Sequence, residues 1–346
     1  MTDYTVAIIG AGPDPDGSSH DGYSMGHRHA NAYRTIDGCA LEACVDIVPE
    51  HADAFVDAFA ISSDRAYTDH RRMLDEVRPD IVSVCTPPAT HADIVEDCAR
   101  HDAVRAIHCE KPMAVTYGES RHIRDVCENG DVQLTINLQN RCSGVVREAK
   151  RLIDDGEIGD VNRIELGRHD FLQTGIHHVD LANFLLDDDP IQWAFGQVDC
   201  SEAKRWYTDM HVETSGLGLW RYASGVHGLA AVGDVRDAIG PHTNRVLGTE
   251  GDIEIDLGFH ECRIRTHDSP TWQEIDAPDP NPQENAITEV VDGLRSGEAP
   301  PISGDVGLAA TELVFGIWES ARQRRRIEFP LEIDDNPLES LIETNS

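Results

Sequence analysis

No run of about 18 or more apolar residues occurs in the 346-residue chain, so no segment reads as a membrane-spanning helix. No Cys-x-x-Cys pair is present either. The nine cysteines are scattered and odd in number, which fits reduced core thiols in a cytosolic protein and argues against a disulfide framework or a metal site. Lysine is nearly missing: of 29 basic residues only Lys111, Lys150 and Lys204 are lysine, which leaves 26 arginines. Internal repeats and low-complexity linkers are absent. The opening Met1-Thr2-Asp3-Tyr4 lacks the basic and apolar regions of a signal segment, so the expected location is the cytoplasm.

Positive charge as a whole is scarce. The 63 acidic residues against 29 basic ones give a formal net charge of −34. That balance argues against nucleic acid and anionic membranes as partners. The acids are spread along the chain rather than gathered in a tail. With so little lysine, this surface is expected of a protein adapted to high salt, where screening relieves self-repulsion, and it points to a halophilic source.

What is present is enough apolar residue, 40 %, to build two cores, as the length suggests. Short apolar, β-branched strands at 5–9, 41–46, 80–85, 106–109 and 132–138 alternate with helical stretches at 28–35, 50–59, 91–100 and 119–128. This predicts an α/β domain over 1–140, a doubly wound parallel sheet joined by right-handed crossovers. The pattern changes after 141. A helix at 145–153, a strand at 161–166 and a helix at 179–186 precede strands and turns over 206–264. A late helix at 307–322 and a polar, loose tail at 334–346 follow. An α+β domain with a mostly antiparallel sheet is expected over 141–346.

Gly10-Ala11-Gly12 follows the first strand directly. Glycines there let backbone N–H groups approach a pyrophosphate, which the next helix N-terminus favours electrostatically. The usual third glycine is missing from its place, where Pro15 stands, and Met25-Gly26 resumes a helix start only after residues 13–24. We read a Gly-x-Gly-x-Met-Gly fingerprint split by an insertion. Asp46 ends the second strand twenty residues after Gly26, the spacing of the acid that binds the adenosine ribose. A carboxylate there repels a 2′-phosphate, so NAD is expected before NADP.

Val84-Cys85-Thr86-Pro87-Pro88-Ala89-Thr90-His91 and Cys109-Glu110-Lys111-Pro112, with the glycine loop, resemble the glucose–fructose oxidoreductase/inositol dehydrogenase (Gfo/Idh/MocA) family. The resemblance continues through Asn140-Arg141, the 152–159 stretch and Gly248-Thr249-Glu250-Gly251. It implies a Rossmann domain followed by a domain with a large open sheet, and a homodimer or homotetramer formed through that sheet. It implies that Lys111 sits beside the nicotinamide and the reacting hydroxyl, with a bond to Pro112 that is often cis. It implies that Thr86, Pro87 and His91 shape the cofactor pocket and that Glu110 orients Lys111 or the nicotinamide side.

Gln173-Thr174-Gly175-Ile176-His177-His178-Val179-Asp180 resembles the family's second catalytic element, Asp-x-x-x-His-x-x-Asp. His177 matches the general base, Asp180 the later acid, and Gln173 replaces the first acid. Asp170 is a candidate for the missing charge. Arg141, Gln173, Asp180, Lys111 and His177 are the expected substrate contacts. His178 reads as packing, and no metal site has clear ligand spacing. The expected activity is hydride transfer between a polyhydroxylated secondary alcohol, such as a sugar or cyclitol, and nicotinamide. Two alternatives stay open: a redox-neutral lyase or epimerase that recycles its NAD, and a non-catalytic dinucleotide or sugar sensor.

Overall fold

The computed structural model describes residues 4–13, 24–205, 210–239, 244–258, 260–277 and 281–345. Most of the insertion at 13–24 lies outside them. The chain forms two compact units. The first holds residues 1–114, 119–137 and 283–307, so the last of these segments, expected in the second domain, belongs to the first.

In the first unit, β1 (Tyr4–Ile9), β2 (Cys39–Val45), β3 (Ala66–Tyr67), β4 (Ile81–Val84), β5 (Ala106–Cys109) and β6 (Gln133–Ile136) form one sheet. The order is β3-β2-β1-β4-β5-β6 and every pairing is parallel. This is the doubly wound order of dinucleotide-binding domains. Helices α1 (Met25–Tyr33), α2 (Pro49–Ala58), α3 (His70–Val77), α4 (His91–Ala99) and α5 (Tyr117–Asn129) supply the crossovers. The central strands are buried throughout, as Val6, Ile8, Ile81, Val82, Val84 and Ile107 show, because a parallel sheet is covered on both faces. Local signals agree with the elements. Pro49 opens α2, and the Asp69 carboxylate caps α3 by accepting from the Arg71 and Arg72 N–H groups.

The second unit contains α6 (Gly144–Asp154) and α7 (Ile176–Leu185). Its nine-stranded sheet holds β7 (Val161–Arg168) and β8 (Ile191–Asp199); a small ribbon, β9 (Lys204–Arg205) with β10 (His211–Val212), comes next in the chain. The sheet continues with β11 (Ser215–Tyr222), β12 (His227–Gly233), β13 (Asn244–Gly248), β14 (Gly251–Asp256), β15 (Glu261–Thr266), β16 (Gln273–Ile275) and β17 (Ile327–Glu328). Only the β7–β12 pairing in it is parallel. The remaining helices are α8 (Pro282–Ser296), α9 (Gly304–Gln323) and α10 (Pro337–Asn345).

Strand alternation divides the large sheet into two faces. Ile164, Leu166, Val246, Ile253, Ile255 and Ile264 are buried on the face against which α6 and α7 lie. The opposite face carries the exposed Phe195, Leu217 and Leu219, with Leu219 directly across from Phe195. Farther along it, Arg163 meets Glu165 at 2.7 Å, Arg245 meets Asp252 at 3.2 Å, and Arg263 meets Glu254 at 2.6 Å.

Several elements escape the sequence reading: β3, α3, β8 and α8. The 334–346 tail, expected to be loose, forms α10 instead. Leu338 is fully buried, and the Asn336 side chain accepts from the Leu338 N–H at its start and donates to the Val115 carbonyl. No helix among the described residues is long and apolar enough to cross a membrane.

Candidate active site

In a parallel sheet all strands end on one edge, and four of those ends gather the dinucleotide-type residues of the first unit. Gly10 leaves β1 at φ +92°, and a Cβ on it would lie 2.8 Å from the Cys85 carbonyl carbon beyond β4. Gly12, at φ +71°, donates its N–H to Asp46 Oδ2 at 2.9 Å. Gly26 packs against the loop: a Cβ there would stand 2.5 Å from the Gly10 carbonyl oxygen and 3.0 Å from Ala11 Cα. Across the insertion, Gly26 thus has the close helix-to-loop packing that the third glycine of the fingerprint provides. Met25, the first residue of α1, is buried beside it.

Asp46 stands just past β2, its other oxygen accepting from the Val48 N–H at 2.9 Å and lying 3.5 Å from His51 Nδ1. The neighbouring Ile47 is 88 % exposed, and the sequence reading passed it over. Past β4, His91 is buried and ties two turns together. Its Nε2 faces the Thr86 carbonyl at 2.8 Å and its Nδ1 the Pro112 carbonyl at 3.0 Å, and burial pushes its pKa down. Thr86 Oγ1 accepts from the Thr90 hydroxyl, and Pro87 is exposed at the turn.

Glu110, past β5, points inward. Its Oε1 accepts from Asn137 Nδ2 at 2.6 Å and pairs with His29 Nε2 at 3.0 Å; its Oε2 accepts the Lys111 backbone N–H at 3.2 Å. Burial pushes this carboxyl up, but the hydrogen bond and charge of His29, the Lys111 ammonium and Asn137 outweigh that and bring it down to about 2. His29 Nδ1 reaches Ser83 Oγ at 3.3 Å, and Tyr33 reaches the same hydroxyl at 3.2 Å. A buried polar line therefore holds the residue before Lys111, and the Lys111–Pro112 bond is cis. His27, two residues from His29, packs instead against Phe55 with ring centroids 5.0 Å apart.

In the second unit α7 starts at Ile176, three residues earlier than expected, so His177 lies in its first turn. His177 is partly exposed, whereas Ile176, His178, Val179 and Asp180 are buried. His178 bonds Asn244 Oδ1 through Nδ1 at 2.6 Å, and burial lowers its pKa to about 4, as a packing role requires.

The loop before α7 is clasped by two carboxylates. Asp170 Oδ1 accepts from the N–H groups of Gln173 at 2.5 Å and Thr174 at 2.9 Å, while Oδ2 accepts the Thr174 hydroxyl at 2.7 Å. Asp170, the candidate for a missing catalytic charge, is thus engaged in shaping the loop. Glu213 Oε1 accepts the Phe171 N–H at 2.6 Å. Burial, with the charge of Asp170, pushes Glu213 up to about 8. Gln173 is buried at 1 % exposure.

Arg141 and Asp180, both expected to touch substrate, are given to each other. Arg141 Nε donates to Asp180 Oδ1 at 2.7 Å, and its terminal nitrogens fork onto Asp188 at 2.6 and 2.9 Å. Both side chains are almost fully buried, and burial raises the Asp180 carboxyl to about 7 against the pull of Arg141. No group of three or more metal-binding side chains occurs among the described residues.

A doubly wound sheet, a glycine cradle with an acid at the next strand end, and a lysine held at a third define a nicotinamide-dependent oxidoreductase. The comparisons agree. The family described as "Oxidoreductase family, NAD-binding Rossmann fold" matches residues 5–138. D-apiose dehydrogenase of Paraburkholderia graminis is 28 % identical, over 87 % of this chain and 86 % of its own. D-xylose 1-dehydrogenase [NADP(+)] of Haloarcula marismortui is 26 % identical, over 70 % of this chain and 72 % of its own. An inositol dehydrogenase homolog from Azotobacter vinelandii, solved with NAD+, shares the fold at a TM-score of 0.76 and 18 % identity, covering 94 % of this chain and 97 % of its own. Residues 5–138 thus match the NAD-binding Rossmann part of the Gfo/Idh/MocA oxidoreductases, and the protein is an NAD(P)-dependent dehydrogenase.

Proposed function

We propose that the protein oxidises a secondary alcohol of a sugar, cyclitol or polyol, with NAD preferred over NADP. The observation that carries the reading is Lys111, the one lysine of the first unit, held by the Glu110 network at the same strand-end edge as the glycine cradle and Asp46. Ligands of open α/β sheets bind at that edge. Gly10, Gly12 and Gly26 leave room for a pyrophosphate, Asp46 takes the ribose hydroxyls, and the exposed Ile47 offers the adenine an apolar surface.

NAD, when bound, supplies the acceptor for the hydrogen and electron pair leaving the carbinol carbon. The Lys111 ammonium donates to the carbinol oxygen and stabilises the charge that develops there. His177 accepts the hydroxyl proton. Gln173 hydrogen-bonds a substrate hydroxyl but carries no charge to polarise His177. Arg141 and Asp180 act as positioning residues, fixing α7 from below.

The test is reduction of NAD and NADP, offered separately in molar KCl with aldoses, cyclitols, polyols and sugar acids. One substrate should turn over, and Lys111→Ala and His177→Ala should each lower kcat by about a hundredfold to ten-thousandfold. Full turnover by both variants would remove the assigned roles. Gln173 in place of a carboxylate favours a second reading, a redox-neutral enzyme that recycles tightly held NAD. It would form product with no net reduced nicotinamide.

The exposed Phe195, Leu217 and Leu219 on the open sheet face support a homodimer formed there. Leu219→Lys should then yield monomers in light-scattering measurements. All nine cysteines are free thiols, seven of them buried, which supports a reducing cytoplasm. The diffuse acid surplus supports a halophilic protein, whose melting temperature should rise between dilute buffer and molar KCl.

A further inference from the structure

Among the described residues two arginines of the nine-stranded sheet have no carboxylate partner: Arg221, which donates to Gln192 Oε1 at 2.6 Å, and Arg168. Arg163, Arg245, Arg263 and Arg265 each have a carboxylate partner within 3.2 Å. Arg168, the last residue of β7, has none among the described residues, and its Nε is buried without an acceptor. The chain holds more than two acids for every base, 63 against 29, so a lack of carboxylates does not explain the gap.

Its position is informative. Ile164 and Leu166 are buried on the face that α7 covers, and alternation puts residue 168 on that same face. Arg168 is close enough to the buried His178, in the first turn of α7, for its charge to bear on that imidazole. The loop carrying Gln173 begins at the next residue. Across the sheet Arg168 pairs with Val232, and the short turn at Arg236–Ala238 folds back against β7. Arg236 there donates to the Gly233 carbonyl at 3.2 Å, and among the described residues its one acid neighbour is the exposed Asp237 at 3.9 Å. Two guanidinium groups thus stand at one strand end in a strongly acidic chain.

A partly buried guanidinium without a counter-ion is costly, and that cost is recovered when an anion arrives. The planar fork of arginine matches the two coplanar oxygens of a carboxylate better than any other side chain does. We propose that Arg168, supported by Arg236, receives a carboxylate of the substrate, so that the preferred substrates are polyhydroxy acids of the aldonic or uronic class rather than neutral sugars. The proposal rests on the dehydrogenase reading for its turnover arm but not for its binding arm.

The experiment compares wild type, Arg168→Met and Arg168→Lys on stereochemically matched neutral sugars, sugar acids and sugar phosphates, in one fixed salt concentration. The ratio of kcat/KM for acid over neutral sugar should exceed about tenfold in wild type, the discrimination expected of a charged hydrogen bond. It should collapse in Arg168→Met, chiefly through KM, and return in part in Arg168→Lys. Calorimetric binding of the same acids gives the second arm. Sugar acids that bind the wild type and not Arg168→Met support the site even if no compound is oxidised. An acid-to-neutral ratio unchanged by Arg168→Met overturns the proposal, as does an arginine-dependent preference confined to phosphates. NADH binding, followed by fluorescence, checks that the variants are folded.

Discussion

Glu110 and Glu213 are both buried glutamates, 6 % and 3 % exposed, one in each unit, and their surroundings are opposite. Glu110 is met by an imidazole, an amide and a backbone N–H, with the ammonium of the adjacent lysine nearby. Glu213 accepts the Phe171 N–H, with its own N–H and the Trp318 indole N–H nearby, and faces a second carboxylate, Asp170. Burial penalises the charge at both sites, so the donors decide the outcome. The first carboxylate stays ionised at every working pH, while the second is neutral until mildly alkaline conditions. A fixed negative charge thus sits under the Lys111 backbone, and an uncharged carboxyl, Glu213, holds the Phe171 end of the loop that carries Gln173.

The largest expected effect breaks the first half of that contrast. Glu110→Gln removes the charge that His29 and Lys111 were arranged around, and the loss should be about 3 to 5 kcal/mol, as for breaking a buried ion pair. Urea unfolding measures it, and a loss under about 1 kcal/mol would show that the charge is dispensable. Next comes Glu213→Ala, which strands the Phe171 N–H and opens a cavity, at about 2 to 3 kcal/mol. Glu213→Gln keeps the acceptor and, because the native side chain is neutral near pH 7, should cost less than about 1 kcal/mol. A cost equal to that of alanine would mean that Glu213 works as an anion.

The smallest effect is one of slope. Glu110 has a folded pKa below its unfolded value, so its stabilisation is present above about pH 4.3 and is lost as pH falls toward about 2. Glu213 has a folded pKa above its unfolded value. The folded protein therefore holds a proton that the unfolded chain has released, and stability falls as pH rises from about 4.3 to about 8. In melting curves at fixed salt, Glu213→Gln should flatten the fall between about pH 4.3 and about 8 relative to wild type and leave the loss below about pH 4.3 alone. Unchanged curves on both sides would erase the difference between the two glutamates.

The same pair shows which parts of the molecule were legible in the sequence. Periodicity and turn residues are local, so most crossovers of the first unit and the glycine cradle could be read from neighbouring residues, while β3, α3 and the true start of α7 at Ile176 could not. The partners of Glu110 come from His29 and Asn137, 81 and 27 positions away, and the clasp on Phe171 comes from 42 positions on. No spacing rule announces contacts that only the sheet order creates. Strand β8 escaped because Phe195 faces outward and breaks its polar alternation. Arg141 and Asp180 read as substrate contacts because the family resemblance implies that role; only their mutual burial reveals the ion pair.

The meeting of Gly26 with Gly10 gives the cofactor loop an unusual tolerance. The Ser24 hydroxyl donates to the Pro13 carbonyl at 2.5 Å, so the chain leaves the cradle and returns to it at one pinched neck. The two residues that flank the insertion thus meet beside the glycine cradle. A reporter domain grafted there would be coupled to nucleotide occupancy through that neck, making the insertion a natural socket for a sensor of cellular redox state.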